Sequence, residues 1–141
     1  MFTKILFTKT LSALALITAL MVPFYAAQAE SGKVFELRTY TTNPGMLDAL
    51  HQRFANHTIA LFKKHRMENI GYWSPTDPEL AENTLIYLIA HDSRAAAEQN
   101  WKAFVNDPEW QKVYQKSIEN GKIVKNIDSV YMSATPYSMM K

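Results

Sequence analysis

The sequence contains no cysteine, and this absence removes several classes of function at once. Disulfide frameworks, thiol nucleophiles and thiolate metal sites all require cysteine. Glycine is also scarce, with four residues in 141, and no glycine-rich phosphate loop or G-x-S-x-G nucleophile elbow is present. A domain without disulfides depends on side-chain packing for its stability.

Neither sign of charge dominates the sequence. The chain has 15 lysines and arginines against 13 acidic residues. Because Lys4 and Lys9 precede the first acid, residues 30–141 carry equal numbers of basic and acidic side chains. A neutral domain without a basic run is a poor candidate for binding nucleic acid. The histidines are too dispersed for a metal site, and we expect no metal and no tightly bound cofactor.

The first 29 residues have the three parts of a secretory signal. Lys4 and Lys9 form a basic start, and LSALALITALMV is an apolar run too short to span a bilayer comfortably. Ala27-Gln28-Ala29 then provides the small-x-small pattern of a cleavage site. We predict a signal peptide at residues 1–29, and a mature domain at residues 30–141 that is periplasmic or secreted and keeps no membrane segment.

The mature domain alternates strand and helix patterns. Strands are predicted at 33–42, 69–74, 83–91 and 126–134, and helices at 46–66, at 93–105 and from Pro108 to just before Gly121. The order β-α-β-β-α-β, with the second helix split in two, predicts an α+β, ferredoxin-like domain with a four-stranded antiparallel sheet.

Both faces of the third predicted strand are apolar. Leu85, Tyr87 and Ile89 share one face, and Ile86, Leu88 and Ala90 share the other. A sheet covered by helices on one side only should alternate apolar with polar residues. We therefore predict a homodimer in which two subunits join their sheet faces; the alternative is an exposed apolar face.

The stretch FELRTY in the first strand carries a row of polar residues. Alternation places Phe35, Leu37 and Thr39 on a predicted core face, and Glu36, Arg38 and Tyr40 on the other. In one interpretation the polar row lines a pocket, where Arg38 anchors a substrate carboxylate and Tyr40 donates a hydrogen bond or a proton. In the other, the row lies at the dimer seam or pairs internally, with an ion pair between Glu36 and Arg38.

His57 is the candidate general base. It lies in the apolar stripe of the first helix and is expected to face the sheet, where burial favours the neutral imidazole that a base requires. The alternative is a core histidine with a single hydrogen bond. His91, at the end of the third strand, is a weaker candidate for an axial haem ligand.

Aromatic residues supply the remaining candidates for ligand binding, Tyr72 and Trp73 first among them. Together with Trp101, Trp110, Tyr114 and Tyr131 they are able to surround a flat apolar ligand. The alternative is that they build the core of a small barrel.

Three segments, in this order and spacing, resemble the NIPSNAP family of the dimeric α+β-barrel superfamily. They are FELRTYTTNPG at 35–45, IGYW at 70–73 and WKAFVNDPEW at 101–110. The resemblance covers about 34–132, and it implies two ferredoxin-like subunits whose sheets form a barrel, with a pocket between sheet and helices. The superfamily includes cofactor-independent monooxygenases and isomerases, but the family resemblance implies no particular chemistry.

Two functions are compatible with these features. The first is a non-catalytic homodimer that binds a small hydrophobic or aromatic ligand between sheet and helices. The second is a cofactor-independent enzyme of monooxygenase or isomerase type, with His57 as base and Arg38 and Tyr40 as substrate binders. A void of about 300 Å³ with Tyr40 or Arg38 pointing inward would favour a ligand site.

Overall fold

The computed structural model describes residues 32–141, so the signal peptide predicted at 1–29 lies outside the described residues. The strands are β1 (Val34–Thr42), β2 (Glu68–Trp73), β3 (Thr84–His91) and β4 (Val124–Ser133). The helices are α1 (Leu47–Arg53), a π-helical turn (Phe54–Thr58), α2 (Ile59–Lys64), α3 (Pro78–Ala81), α4 (Arg94–Val105) and α5 (Pro108–Ser117). None of the helices between residues 32 and 141 has the length and apolar character needed to cross a membrane.

The four strands form one antiparallel sheet in the order β2-β3-β1-β4. This confirms the predicted ferredoxin-like α+β fold, with the second helix divided into α4 and α5. Ser93 caps α4 by accepting a hydrogen bond from the backbone N–H of Ala96, and Asp107 caps α5 through the N–H of Glu109. Pro108 is the first residue of α5, as its fixed φ favours.

The core lies between one face of the sheet and the helices. Its central members are Tyr40, Leu50, Phe54, Leu61, Phe62, Tyr87, Ile89 and Phe104. Many of the rings meet edge to face, among them Phe54 with Phe62 and Phe62 with Phe104. Each fully buried side chain of this size contributes about 1.5–3 kcal/mol, which provides the packing that a chain without disulfides needs.

The π-helical turn changes which residues of the first helix are buried. A wider i→i+5 turn advances each residue by less than the roughly 100° of an α-helix. His57 therefore lags behind the apolar stripe and is exposed, while Thr58 is buried. The expectation that His57 faces the sheet is wrong for this reason.

The opposite face of the sheet is not covered by any helix of residues 32–141. Pairing of Leu37 with Leu88 and Val130 places these side chains together on this open face. Trp73 is 51% exposed and Val130 54% exposed. The indole of Trp73 lies over Gly71, where any side chain would collide with it, and this explains the glycine of IGYW.

Two features of the open face differ from the sequence prediction. Leu37 and Thr39 were expected in the core, yet the core face of β1 is the one that carries Glu36, Arg38 and Tyr40. Phe35 is buried nonetheless, because C-terminal residues such as Ala134 and Met140 lie around it beside Leu88 and Met132.

Candidate functional site

Glu36 is the centre of a buried polar network at one end of the layer between sheet and helices. Its side chain is 0% exposed. It receives four hydrogen bonds: from Nη1 of Arg38 (2.7 Å), Oγ of Ser129 (2.7 Å), Nε1 of Trp101 (2.6 Å) and Nε2 of His91 (3.1 Å). Burial by itself would raise the pKa of Glu36, but the hydrogen bonds from His91, Ser129 and Trp101 and the charge of Arg38 lower it to about 2. Glu36 is thus a fully satisfied carboxylate.

Both ring nitrogens of His91 are occupied within this network. In the tautomer that its partners require, Nε2 donates to Glu36 and Nδ1 accepts from the amide of Asn100 at 3.3 Å. The same amide nitrogen donates to the backbone carbonyl of Arg66. His91 therefore has no free nitrogen for a haem iron, and its role here is to hold β3 against α4.

Arg38 is committed to Glu36. Besides the ion pair at 2.7 Å, its guanidinium stacks on Trp101 at 4.3 Å and lies 5.5 Å from the ring of Tyr40. Its Nε has no hydrogen-bond partner among residues 32–141. The ion pair that the sequence allowed is present, and the row points into the helix layer rather than toward the opposite face of the sheet.

A depression of about 310 Å³, which we call the cavity, lies at the other end of the same layer. Its lining comes from β1, the helical segments α1, α2, α4 and α5, the π-helical turn, and β4 with the loop before it. Its aromatic members are Tyr40, Phe54, Phe62, Phe104, Trp110 and Tyr114. The mouth lies beside the exposed residues Lys122, Lys125 and Asn126. An apolar pocket with a few polar groups is typical of a small-molecule site.

Arg53 supplies the only buried cation among the residues that line this cavity in the described chain. It lies at the C-terminal end of α1, immediately before the π-helical turn, and is 6% exposed. Its Nη1 donates to Oγ of Ser117 at 3.2 Å, and its plane lies near the rings of Trp110 (5.5 Å) and Tyr114 (5.8 Å). Burial lowers the pKa of Arg53 from its ordinary value, although the nearby tyrosines oppose this.

The predicted site residues are dispersed rather than brought together. Tyr40 lines the cavity, but Arg38 does not. His57 lies on the far side of α1, in a shallow depression of about 470 Å³ that we call the outer groove, formed with Gln52, Arg53, Asn56, Lys112 and Lys116. The catalytic pair His57 and Tyr40 thus faces two different depressions.

Tyr72 and Trp73 lie on opposite faces of the sheet. Tyr72 stacks on Tyr87 in the core, with ring centroids 5.5 Å apart, and donates a hydrogen bond to Asn69. Burial raises the pKa of Tyr72. Trp73 lies on the open face, so neither residue lines the cavity.

Sequence reasoning missed Arg53 as a site residue. Its position four residues before His57 placed it beside the apolar stripe, where a charged residue is ordinarily a flanking surface residue. Arg53 lies three residues after the buried Leu50 and directly before the buried Phe54, so the regular turn of α1 already brings it inward. Among residues 32–141 no group of three or more histidine and carboxylate side chains is arranged to hold a metal ion.

Asp107 and its neighbours explain the NDPEW segment. Its carboxylate accepts from Lys64 at 2.7 Å and from Nε2 of His65 at 2.6 Å, while it also caps α5. Hydrogen bonds from Lys64, His65 and the backbone of Glu109 lower the pKa of Asp107 well below its ordinary range. The NDPEW segment therefore links the end of α2 to the start of α5, and α5 contributes Trp110 and Tyr114 to the lining of the cavity.

Comparisons with known proteins agree on one family. An uncharacterised NIPSNAP-like domain protein from Burkholderia xenovorans is 19% identical, with a TM-score of 0.66 over 77% of this chain and 90% of the other. A NIPSNAP family protein of unknown function from Agrobacterium tumefaciens is 19% identical, with a TM-score of 0.68 over 79% and 96%.

The fold extends beyond these relatives. A monooxygenase from Streptomyces coelicolor, solved in complex with the ligand Nanaomycin D, is 12% identical, with a TM-score of 0.55 over 79% of this chain and 95% of the other. No curated protein gives a significant match. The family model described as NIPSNAP matches residues 35–139. The chain belongs to the NIPSNAP family.

Proposed function

We propose that the protein binds a small hydrophobic or aromatic molecule in the cavity. The observation that carries the proposal is a space of about 310 Å³ walled mostly by aromatic and aliphatic side chains. This volume is at the lower end of the roughly 300–1,000 Å³ found for small-molecule sites, so it suits a molecule of one or two rings. The Streptomyces coelicolor monooxygenase supports the proposal to the extent that a chain of this fold has been solved with a bound ligand.

Calorimetric titration with 2-naphthamide and 2-naphthoate tests this proposal. Val124 lines the cavity, so Val124→Phe should fill it and weaken binding of both compounds by at least about tenfold. Val105→Phe is the matched control, since Val105 is 49% exposed on α4 and outside the cavity. Absence of binding by the unmodified protein, or equal binding by Val124→Phe, would refute the proposal.

Catalysis in the same cavity is the second candidate function, and Tyr40 is the observation that favours it. The phenol of Tyr40 is the one predicted catalytic group that lines the cavity, and His57 lies outside it. If the cavity is catalytic, Tyr40→Phe should abolish turnover of a bound aromatic compound and leave its affinity unchanged. An enzyme dependent on His57 would instead lose turnover in His57→Ala.

We also propose a homodimer formed through the open face. Support comes from the large exposed side chains on that face, Trp73 and Val130, next to the half-buried Leu37, Ile86 and Leu88. Sedimentation equilibrium at micromolar concentration should give twice the mass of the mature chain. Val130→Lys should give a folded monomer, whereas Val105→Lys, a matched change on a helix, should not. A monomeric unmodified protein would end the proposal.

Export is the remaining part of the proposal, and it rests on residues 1–29 of the sequence. Expression of the full chain in a Gram-negative host should yield a periplasmic protein whose mass corresponds to a start at Glu30. An intact N-terminus in the cytoplasmic fraction would contradict this.

A further inference from the structure

Arg53 is a buried cation that lacks an acidic partner. No ion pair within residues 32–141 includes it, and its one hydrogen bond goes to the neutral hydroxyl of Ser117. Its Nε has no partner in the same part of the chain. A guanidinium offers five N–H donors, so much of its hydrogen-bonding capacity is not used by the described residues. A buried charge in this state is costly unless an anion joins it.

Two depressions meet at Arg53, and both are positively charged. The cavity adds Lys122 and Lys125 at its mouth, and the outer groove adds Lys112 and Lys116. Neither lining contains an aspartate or a glutamate within the described residues. A cleft lined by one sign of charge concentrates ligands of the other sign, so both depressions favour an anion.

Aromatic rings and the π-helical turn surround Arg53. The guanidinium lies near the rings of Trp110 and Tyr114, and the backbone carbonyl of Arg53 accepts a hydrogen bond from Oγ1 of Thr58 at 3.2 Å across the π-helical turn. π-helical turns occur frequently at functional sites. A planar donor group held in this way matches the two oxygens of a carboxylate.

We propose that Arg53 is the specificity-determining residue of the cavity and that the ligand is an aromatic or hydrophobic carboxylate, whose ring fills the cavity while its carboxylate pairs with Arg53. This inference rests on the proposed ligand-binding function and names its ligand class. It also replaces Arg38 as the carboxylate anchor, because Arg38 is already paired with Glu36.

The test compares an anion with its neutral counterpart of the same shape. Calorimetry at pH 7 with 2-naphthoate and 2-naphthamide should show that the unmodified protein binds the carboxylate at least about tenfold more tightly, because hydrogen bonds to charged groups are the stronger ones. Arg53→Met should reduce this ratio to about one, through loss of 2-naphthoate affinity alone. Arg53→Lys should keep part of the preference, since it retains the charge without the planar fork.

A matched control separates the local contact from the general field. Lys112→Met removes a positive charge from the outer groove only, so it should leave the ratio close to that of the unmodified protein. Circular dichroism establishes that each variant is folded. Arg53→Gln gives a second uncharged variant, for which the same loss is expected.

Each result bears on a different part of the proposal. Equal affinity of the unmodified protein for the two compounds would overturn the role of Arg53 and leave ligand binding in the cavity intact. A preference that survives Arg53→Met would also overturn that role. Failure of both compounds to bind would overturn ligand binding itself and the inference with it. If Arg53→Met and Arg53→Gln both fail to fold, Arg53 serves stability rather than ligand recognition.

Discussion

The layer between the sheet and the helices holds two buried charged centres that are built in opposite ways. At one end, Glu36 has a counter-ion and three further donors. At the other end, Arg53 has one hydroxyl and an adjoining cavity. A saturated buried charge fixes the structure around it, whereas an unsaturated one leaves hydrogen-bonding capacity for a ligand. The contrast distinguishes the saturated network around Glu36 from the candidate site at Arg53.

Strand β1 joins the two ends. Its core-facing row begins with Glu36 in the network and ends with Tyr40 at the cavity, and Arg38 lies between them against Trp101. One alternating strand therefore supplies both the most satisfied carboxylate of the layer and a wall of the candidate site.

Glu36→Gln should have the largest effect on stability. The side-chain amide of the glutamine would direct an N–H group at one of the groups that donate to Glu36. The substitution would also leave Arg38 buried without its counter-ion, at a cost of about 3–5 kcal/mol of unfolding free energy. Urea unfolding monitored by circular dichroism measures the change. Glu68→Gln is the control, because Glu68 forms only an exposed ion pair with Lys33, and its loss should cost less than about 1 kcal/mol. Equal effects of the two changes would remove the contrast.

Lowering the pH should reduce the stability that the Glu36 network provides. The pKa of Glu36 is about 2 in the folded chain against an ordinary value of 4.5, so the unfolded state binds more protons between these values. The stabilisation is fully present above about pH 4.5 and is lost as the pH falls toward 2, by about 3 kcal/mol. Urea unfolding at a series of pH values measures the slope.

Asp107 also contributes to the dependence of unfolding free energy on pH, and its contribution must be separated from that of Glu36. Asp107 has a lowered pKa as well, and it therefore destabilises the fold in the same direction on acidification. Glu36→Gln and Asp107→Asn should each reduce the slope. A slope unchanged in Glu36→Gln would show that the buried network does not titrate as proposed.

The sequence predicted the fold well, because its signals are local. The apolar run of the third strand, the Asn43-Pro44-Gly45 turn and Pro108 at the start of α5 each mark an element without reference to the rest of the chain. The pairing of Glu36 with Arg38 was also within reach, because two residues apart on one strand share a face.

The site was harder to predict, in part because the first helix departs from regular geometry. A uniform 100° step buries His57, whereas the π-helical turn leaves it exposed. Arg53 is buried by its place in α1, three residues after Leu50, where a charged residue is ordinarily expected at the surface. Tyr72 and Trp73 share the aromatic character of the cavity lining, but strand alternation sends their side chains to opposite faces of the sheet. Composition alone does not reveal such a separation.

Two tryptophans allow a finer comparison between the two ends. Trp101→Phe removes the indole N–H that donates to Glu36, and we expect a loss of about 1–3 kcal/mol. Trp110→Phe makes the same change beside Arg53, where no hydrogen bond of the described residues involves the indole N–H, and should cost less than about 1.5 kcal/mol. The difference in free energy of unfolding is the measurement, and a larger loss at Trp110 would contradict the comparison.

Arg53→Met should have the smallest effect on the ligand-free protein. Its guanidinium forms one hydrogen bond, to Ser117, and no ion pair within residues 32–141. Replacing a buried, poorly compensated charge by an apolar side chain of similar length is often neutral or stabilising. We therefore expect a change in unfolding free energy within about 1 kcal/mol of zero, and a similar result for Ser117→Ala. A loss of unfolding free energy as large as that of Glu36→Gln would mean that Arg53 stabilises the fold as Glu36 does. Arg53 would then not be available to pair with a ligand.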